Sequence, residues 1–232
     1  MNNQKITKYI KNRNDSLFNQ KIGNLNLAIK DDIDKSINHK KVFYDVNELI
    51  PDSFLNLIDV VYIGQFDFLN EREVNAVYMD GAIYVTNIQD NEQDLLDDIV
   101  HEISHAVEEY YGNEIYSDGE IEQNFINKRL KLERILKYHD YTVRKHDFRN
   151  PEYNQDLDEF LYKEVGYEKL NTLTIGLFLA PYSVTSKREY FARGFEEYYL
   201  GDRLYLQKVS PYIYNSLLFL EENPELDYEI RY

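Results

Sequence analysis

Hydrophobic and polar positions change their rhythm near residue 90. Before it, short apolar runs bounded by turn residues predict strands; after it, a 3.6-residue period predicts helices. Residues 1–40 are polar, with a weak helical period in Leu17, Ile22, Leu25, Leu27 and Ile33. KVFYDV (41–46) reads as a strand, and NELIPDSFLNLIDV (47–60) as a helix with Pro51 in its first turn. VVYIGQF (60–66) is rich in β-branched and aromatic residues and reads as a strand. AVYMDGAIYVTN (76–87) sets Asp80-Gly81 between two apolar runs, the pattern of a tight hairpin.

The second half is helical by the same test. Leu95, Leu96, Ile99, Val100, Ile103, Ala106, Val107 and Tyr110 predict a helix to about residue 111, capped by Asp90 or Asn91 and stopped by Gly112. A charged amphipathic helix is expected over 117–138, then a polar loop over 139–156. Further helices are expected near 157–179, 187–199 and 211–222. No internal repeat or low-complexity linker interrupts the chain. The expectation is an α+β fold in a single domain, 1–232. A strand-containing lobe spans 1–112, a helical insertion and connection 113–180, and a helical lobe 181–232.

Composition narrows the chemistry. With 232 residues and 43% hydrophobic content, the chain can bury a core. A net charge of −16 argues against nucleic acid and against an anionic membrane surface, both of which require a basic face. There are no cysteines, so a transition-metal site must be built from His, Asp and Glu. MNNQKITKYIKNRNDSLFNQ lacks the apolar core of a secretory signal, and LTIGLFLA (173–180) is too short to span a bilayer. Cytoplasmic location is the default expectation, with a virion or an export route that the sequence does not show left open.

The stretch DIVHEISHAVEEYYG (98–112) holds two of the five histidines. Helical geometry puts His101 and His105 one turn apart on one face, so both imidazoles can address one metal. Glu102 stands about a third of a turn away, placed to take a proton from water rather than to ligate. This is the H-E-x-x-H arrangement of zinc peptidases. Zinc acidifies a ligated water, and the glutamate removes its proton as it attacks a peptide carbonyl. A catalytic zinc keeps three protein ligands and one open position. The metzincin extension needs Gly at 108 and His at 111, where this chain has Glu108 and Tyr111. His139 and His146 fall in or beside the polar loop and are expected to be solvent-exposed. A carboxylate from a later helix remains: Glu189, Glu196 or Glu197.

The segment APYSVTSKREYFARGFEEYYLGD (180–202) sets Tyr182 seven residues before Glu189, in Y-x6-E-Y-F-A. This resembles the anthrax lethal factor-like zincins, which include the Pro-Pro endopeptidases. The likeness covers roughly 45–112 and 176–222, with DRLYLQKVSPYIYNSLLFL (202–220) similar to the family's last helices. It implies a zincin-like metallopeptidase fold and a Zn2+ held by His101, His105 and Glu189. Glu102 would be the general base, and Tyr182 would stabilise the oxyanion. The strand GAIYV (81–85) would pair with an extended peptide or protein substrate by β-augmentation. Glu189 also has an ordinary explanation, as N3 of a capping box begun by Ser186. Glu196 and Glu197 are expected on the solvated face of that helix.

Eighty-four positions separate His105 from Glu189, more than compact members of that family need. The extra length, near 113–165, could wall a cleft, close over substrate or carry homo- or hetero-oligomer contacts; the plain expectation is a surface elaboration. Two functions follow: a zinc-dependent endopeptidase, or a structural or assembly protein on a zincin fold, such as a phage virion component, with a retained or vestigial zinc site.

Overall fold

The computed structural model of the protein describes residues 18–224 and 226. Two units meet in sequence after Ala106, inside a helix. Helices and a five-stranded sheet together make the fold mixed α and β.

The first unit opens on an antiparallel pair, β1 (Phe18–Ile22) and β2 (Leu25–Ile29). It continues through α1 (His39–Leu49), α2 (Asp52–Leu55), β3 (Val60–Ile63), α3 (Asp67–Arg72), β4 (Ala76–Met79) and β5 (Ala82–Val85). It then enters α4 (Glu92–Tyr110). The sheet order is β1-β2-β3-β5-β4. β2 and β5 flank β3 in parallel, and β4 closes the sheet as an antiparallel edge.

Register explains the core. Leu27, Val61 and Ile83 lie in one row across the sheet, and Ile29, Ile63 and Val85 in the next. Every one of these except Ile29 is buried. The opposite face is covered too: Phe66 and Leu69 bury Ala82 and Tyr84, with Tyr62 stacked on Tyr84 at 5.1 Å. A strand covered on both faces reads as a continuous apolar run, which is why AIYV has no alternation.

Three expectations fail here. Residues 41–46 are the middle of α1, not a strand. Val42, Phe43 and Val46 are all buried, a spacing that one helix face accommodates and a strand would split between two faces. Asn38 starts the helix by accepting from Lys41 N at 3.2 Å. The helix expected over 47–60 is broken at Pro51: Ile50 is extended, as the residue before proline is pushed to be, and the chain restarts in the single turn α2. The weak helical period over 1–40 misreads β1 and β2, where Leu25 and Leu27 are buried in strand alternation; the part of that reading over 1–17 lies outside the described residues.

The second unit is helical: α5 (Gly112–Tyr116), α6 (Glu120–Tyr138), α7 (Gln155–Glu159), α8 (Tyr167–Thr174), α9 (Lys187–Leu200), α10 (Arg203–Val209) and α11 (Pro211–Glu222). A π-helical turn at Phe160–Val165 and Gly166, with φ of 79°, interrupt the single helix expected near 157–179. α9 carries the core, burying Tyr190, Phe191, Ala192, Phe195, Tyr198 and Tyr199. Gly194 lets α11 approach, since a Cβ there would lie 2.6 Å from Ile213 Cγ2. α6, expected as surface elaboration, instead buries Ile121, Phe125, Leu132 and Leu136. Phe125 meets Phe178 and Tyr190 edge-on or tilted.

Candidate metal centre

α4 is fixed by its cap and its apolar side. Asn91 Oδ1 accepts from Gln93 N at 2.8 Å and Asp94 N at 3.1 Å, which satisfies first-turn donors. Leu95, Ile99, Val100, Ile103 and Val107 are inaccessible to solvent. That burial fixes the helix's rotation about its axis and hence the side on which His101 and His105 emerge. Their rings meet edge to face with centroids 4.9 Å apart. His101, Glu102 and His105 each present a donor atom, all within 4.8 Å of one another. Side-chain rotation alone could bring both imidazoles onto one ion.

Glu102 is buried, yet its Oε2 accepts from the backbone N–H of Tyr78 on β4 at 2.5 Å. Asp98, one turn before His101, accepts from Gln89 Nε2 at 2.9 Å. Burial pushes the Asp98 carboxyl up to about 6, the Gln89 bond opposes this, and the Glu102 charge adds to it.

Tyr182 and Glu189 belong to the second unit, near one another. Tyr182 lies in a 3-10 turn, Pro181–Val184, and Glu189 in the first turn of α9. Tyr182 as a whole is exposed, but partial desolvation of its phenol and then the Glu189 charge push its pKa well above the usual range. Ser186 Oγ accepts from Glu189 N at 3.1 Å, so the capping expected from the sequence is made. Glu196 corrects an expectation: it is buried and ion-paired with Arg193, not solvated. Glu197 is half-buried and accepts from Asp202 N at 3.0 Å. His139 is exposed as expected, whereas His146 is half-buried and stacked on Phe160 at 4.3 Å. Tyr111 is buried, and Glu108 accepts from Tyr116 Oη at 2.5 Å, so positions 108 and 111 have structural employment.

The strand 81–85 is not free to take an extended substrate. β5 is paired on both edges, by β3 and by β4, and cannot accept another strand. Among the described residues the edge beside α4 is β4. Sequence reasoning missed Tyr78 because its contribution is a backbone amide, which no side-chain pattern advertises. Asp98 was accessible from its spacing to His101.

No protein-family model matches the chain, and no curated protein or solved structure matches it. No helix among the described residues is long and apolar enough to cross a membrane.

Proposed function

We propose that the chain is a zinc-dependent endopeptidase on a zincin-like fold. The observation that carries this is the trio His101, Glu102 and His105, with donor atoms within 4.8 Å on one face of a buried helix. The donor set suits zinc: two imidazoles and carboxylate, with no thiolate in the chain. His101 and His105 would hold the ion, and Glu189 is the proposed third ligand, an assignment that rests on its resemblance motif with Tyr182. When bound, zinc supplies Lewis acidity to the reacting centre.

The remaining roles belong to the chain. Glu102 removes the proton of the attacking water and delivers it to the leaving amine. The Tyr78 hydrogen bond supports this role over direct ligation, because it already turns one carboxylate oxygen toward β4. Tyr182 donates its phenolic O–H in a hydrogen bond to the oxyanion. β4, rather than β5, receives the extended peptide.

Glu102→Gln should retain metal and lose about 10²–10⁴-fold in peptide cleavage. Glu189→Ala should lose metal, whereas Glu197→Ala should not. Metal loss in Glu102→Gln, or metal retention in Glu189→Ala, overturns the assigned roles.

A further inference from the structure

β4 offers a substrate only some of its backbone, and the site itself has taken part of that. Thr86 N donates to Asn75 O at 2.8 Å, and the register runs Ala76↔Val85, Val77↔Tyr84, Tyr78↔Ile83, Met79↔Ala82. Antiparallel ladders alternate, so Asn75, Val77 and Met79 turn their backbone groups toward β5. Ala76 and Tyr78 turn theirs away, toward the side on which no further strand pairs among the described residues. Of these two outward residues, Tyr78 donates its N–H to Glu102.

We infer that the Tyr78 N–H is a positioning group for Glu102, and that an extended peptide pairs with β4 through Ala76, with its reacting carbonyl beside Tyr78. This rests on the endopeptidase reading. A peptide strand needs both N–H and C=O of one residue to form a full pair. Only Ala76 presents both; Tyr78 has committed its donor. The same bond ties Glu102 Oε2 and leaves Oε1 as the oxygen that takes the water proton. Residues 76 and 78 are two positions apart, about 6.8 Å along a strand. The paired substrate residue therefore lies about two residues from the bond that is cut. Two adjacent outward amides thus have separate work, one in binding and one in aiming the base.

The test replaces single amides by esters in the full chain, using the α-hydroxy analogues of tyrosine at 78 and alanine at 76, with a pooled peptide library as probe. The ester at 78 should lower kcat about 10²-fold with KM changed less than about twofold and metal content unchanged. The ester at 76 should raise KM and leave kcat within about twofold. An unchanged kcat for the ester at 78, or an effect on KM alone, overturns the inference while leaving the endopeptidase reading intact. A metal-loaded wild type that cuts nothing in the library sinks that reading instead. The contact then has its own readout: the 15N-tyrosine amide signal of Tyr78 should move upfield in Glu102→Ala. An unmoved signal overturns the positioning role without reference to activity.

Discussion

Lys128 places its ammonium inside the second unit among neutral acceptors. It donates to Tyr190 Oη at 2.8 Å, Val209 O at 2.6 Å and Ser210 Oγ at 3.1 Å, over the faces of Tyr190 and Phe178. Three acceptors match three protons, but burial pushes its pKa down to about 7, with Lys131 adding to the shift. The unfolded chain holds that proton to about pH 10.4. Between these values the unfolded state binds more protons, so this group makes stability rise with pH from about 7 toward 10. Denaturant unfolding at pH 7 and 9.5 should show wild type gaining on Lys128→Met by about 1–3 kcal/mol at the higher pH; an equal pH response in both chains would contradict this. Arg129, fully buried beside it, donates to Asn150 O at 2.5 Å and Asp147 O at 3.1 Å. Arg129→Met leaves both carbonyls without that donor. We expect a loss of about 3 kcal/mol and faster amide exchange confined first to 146–150.

At the scale of elements, the β4–β5 turn decides where the candidate base is held. Asp80 and Gly81 have φ of 50° and 80°, the two positive angles of a type I′ turn, and a Cβ on Gly81 would stand 2.8 Å from Asp59 Oδ2. Gly81→Val should cost about 2–3 kcal/mol through left-handed strain and that clash, read as a fall in the unfolding midpoint. Asp80→Asn, which suits the same turn, should be close to neutral. This hairpin and α4 were legible from sequence because turn chemistry and helical period are local. So was the bringing together of His101, Glu102 and His105, which share one turn of helix. KVFYDV was misread because its β-branched and aromatic content suggests a strand, while its burial at 42, 43 and 46 is decided by what packs on it. Strand order is not local either: that β5 is interior and β4 the edge follows from the pairing of β5 with β3, a parallel contact with no turn to signal it. Hence the sequence points an incoming peptide at 81–85, a strand whose two edges are both already paired. The burial of Glu196 beside Arg193 is hidden for a similar reason, since charged residues three apart on a helix usually face water.

For the molecule as a whole, each unit has its own contents. The unit that ends at Ala106 holds the sheet, the hairpin edge and His101, Glu102 and His105; the unit from Val107 holds Tyr182 and Glu189. The segment 113–165 contributes α6 to the core of the latter, so it is part of the architecture rather than an ornament on it. A net charge of −16 and the absence of cysteine leave histidine and carboxylate as the means of holding a transition metal. The proposed chemistry therefore turns on zinc. The most direct measurement is elemental mass spectrometry of the full chain, expressed with ample zinc and purified by gel filtration, beside His101→Ala. About one zinc per wild-type chain and almost none in His101→Ala is the predicted result. A wild-type chain that carries no zinc, or a variant that carries as much, would contradict the metal centre and move the favoured reading to a structural or assembly protein.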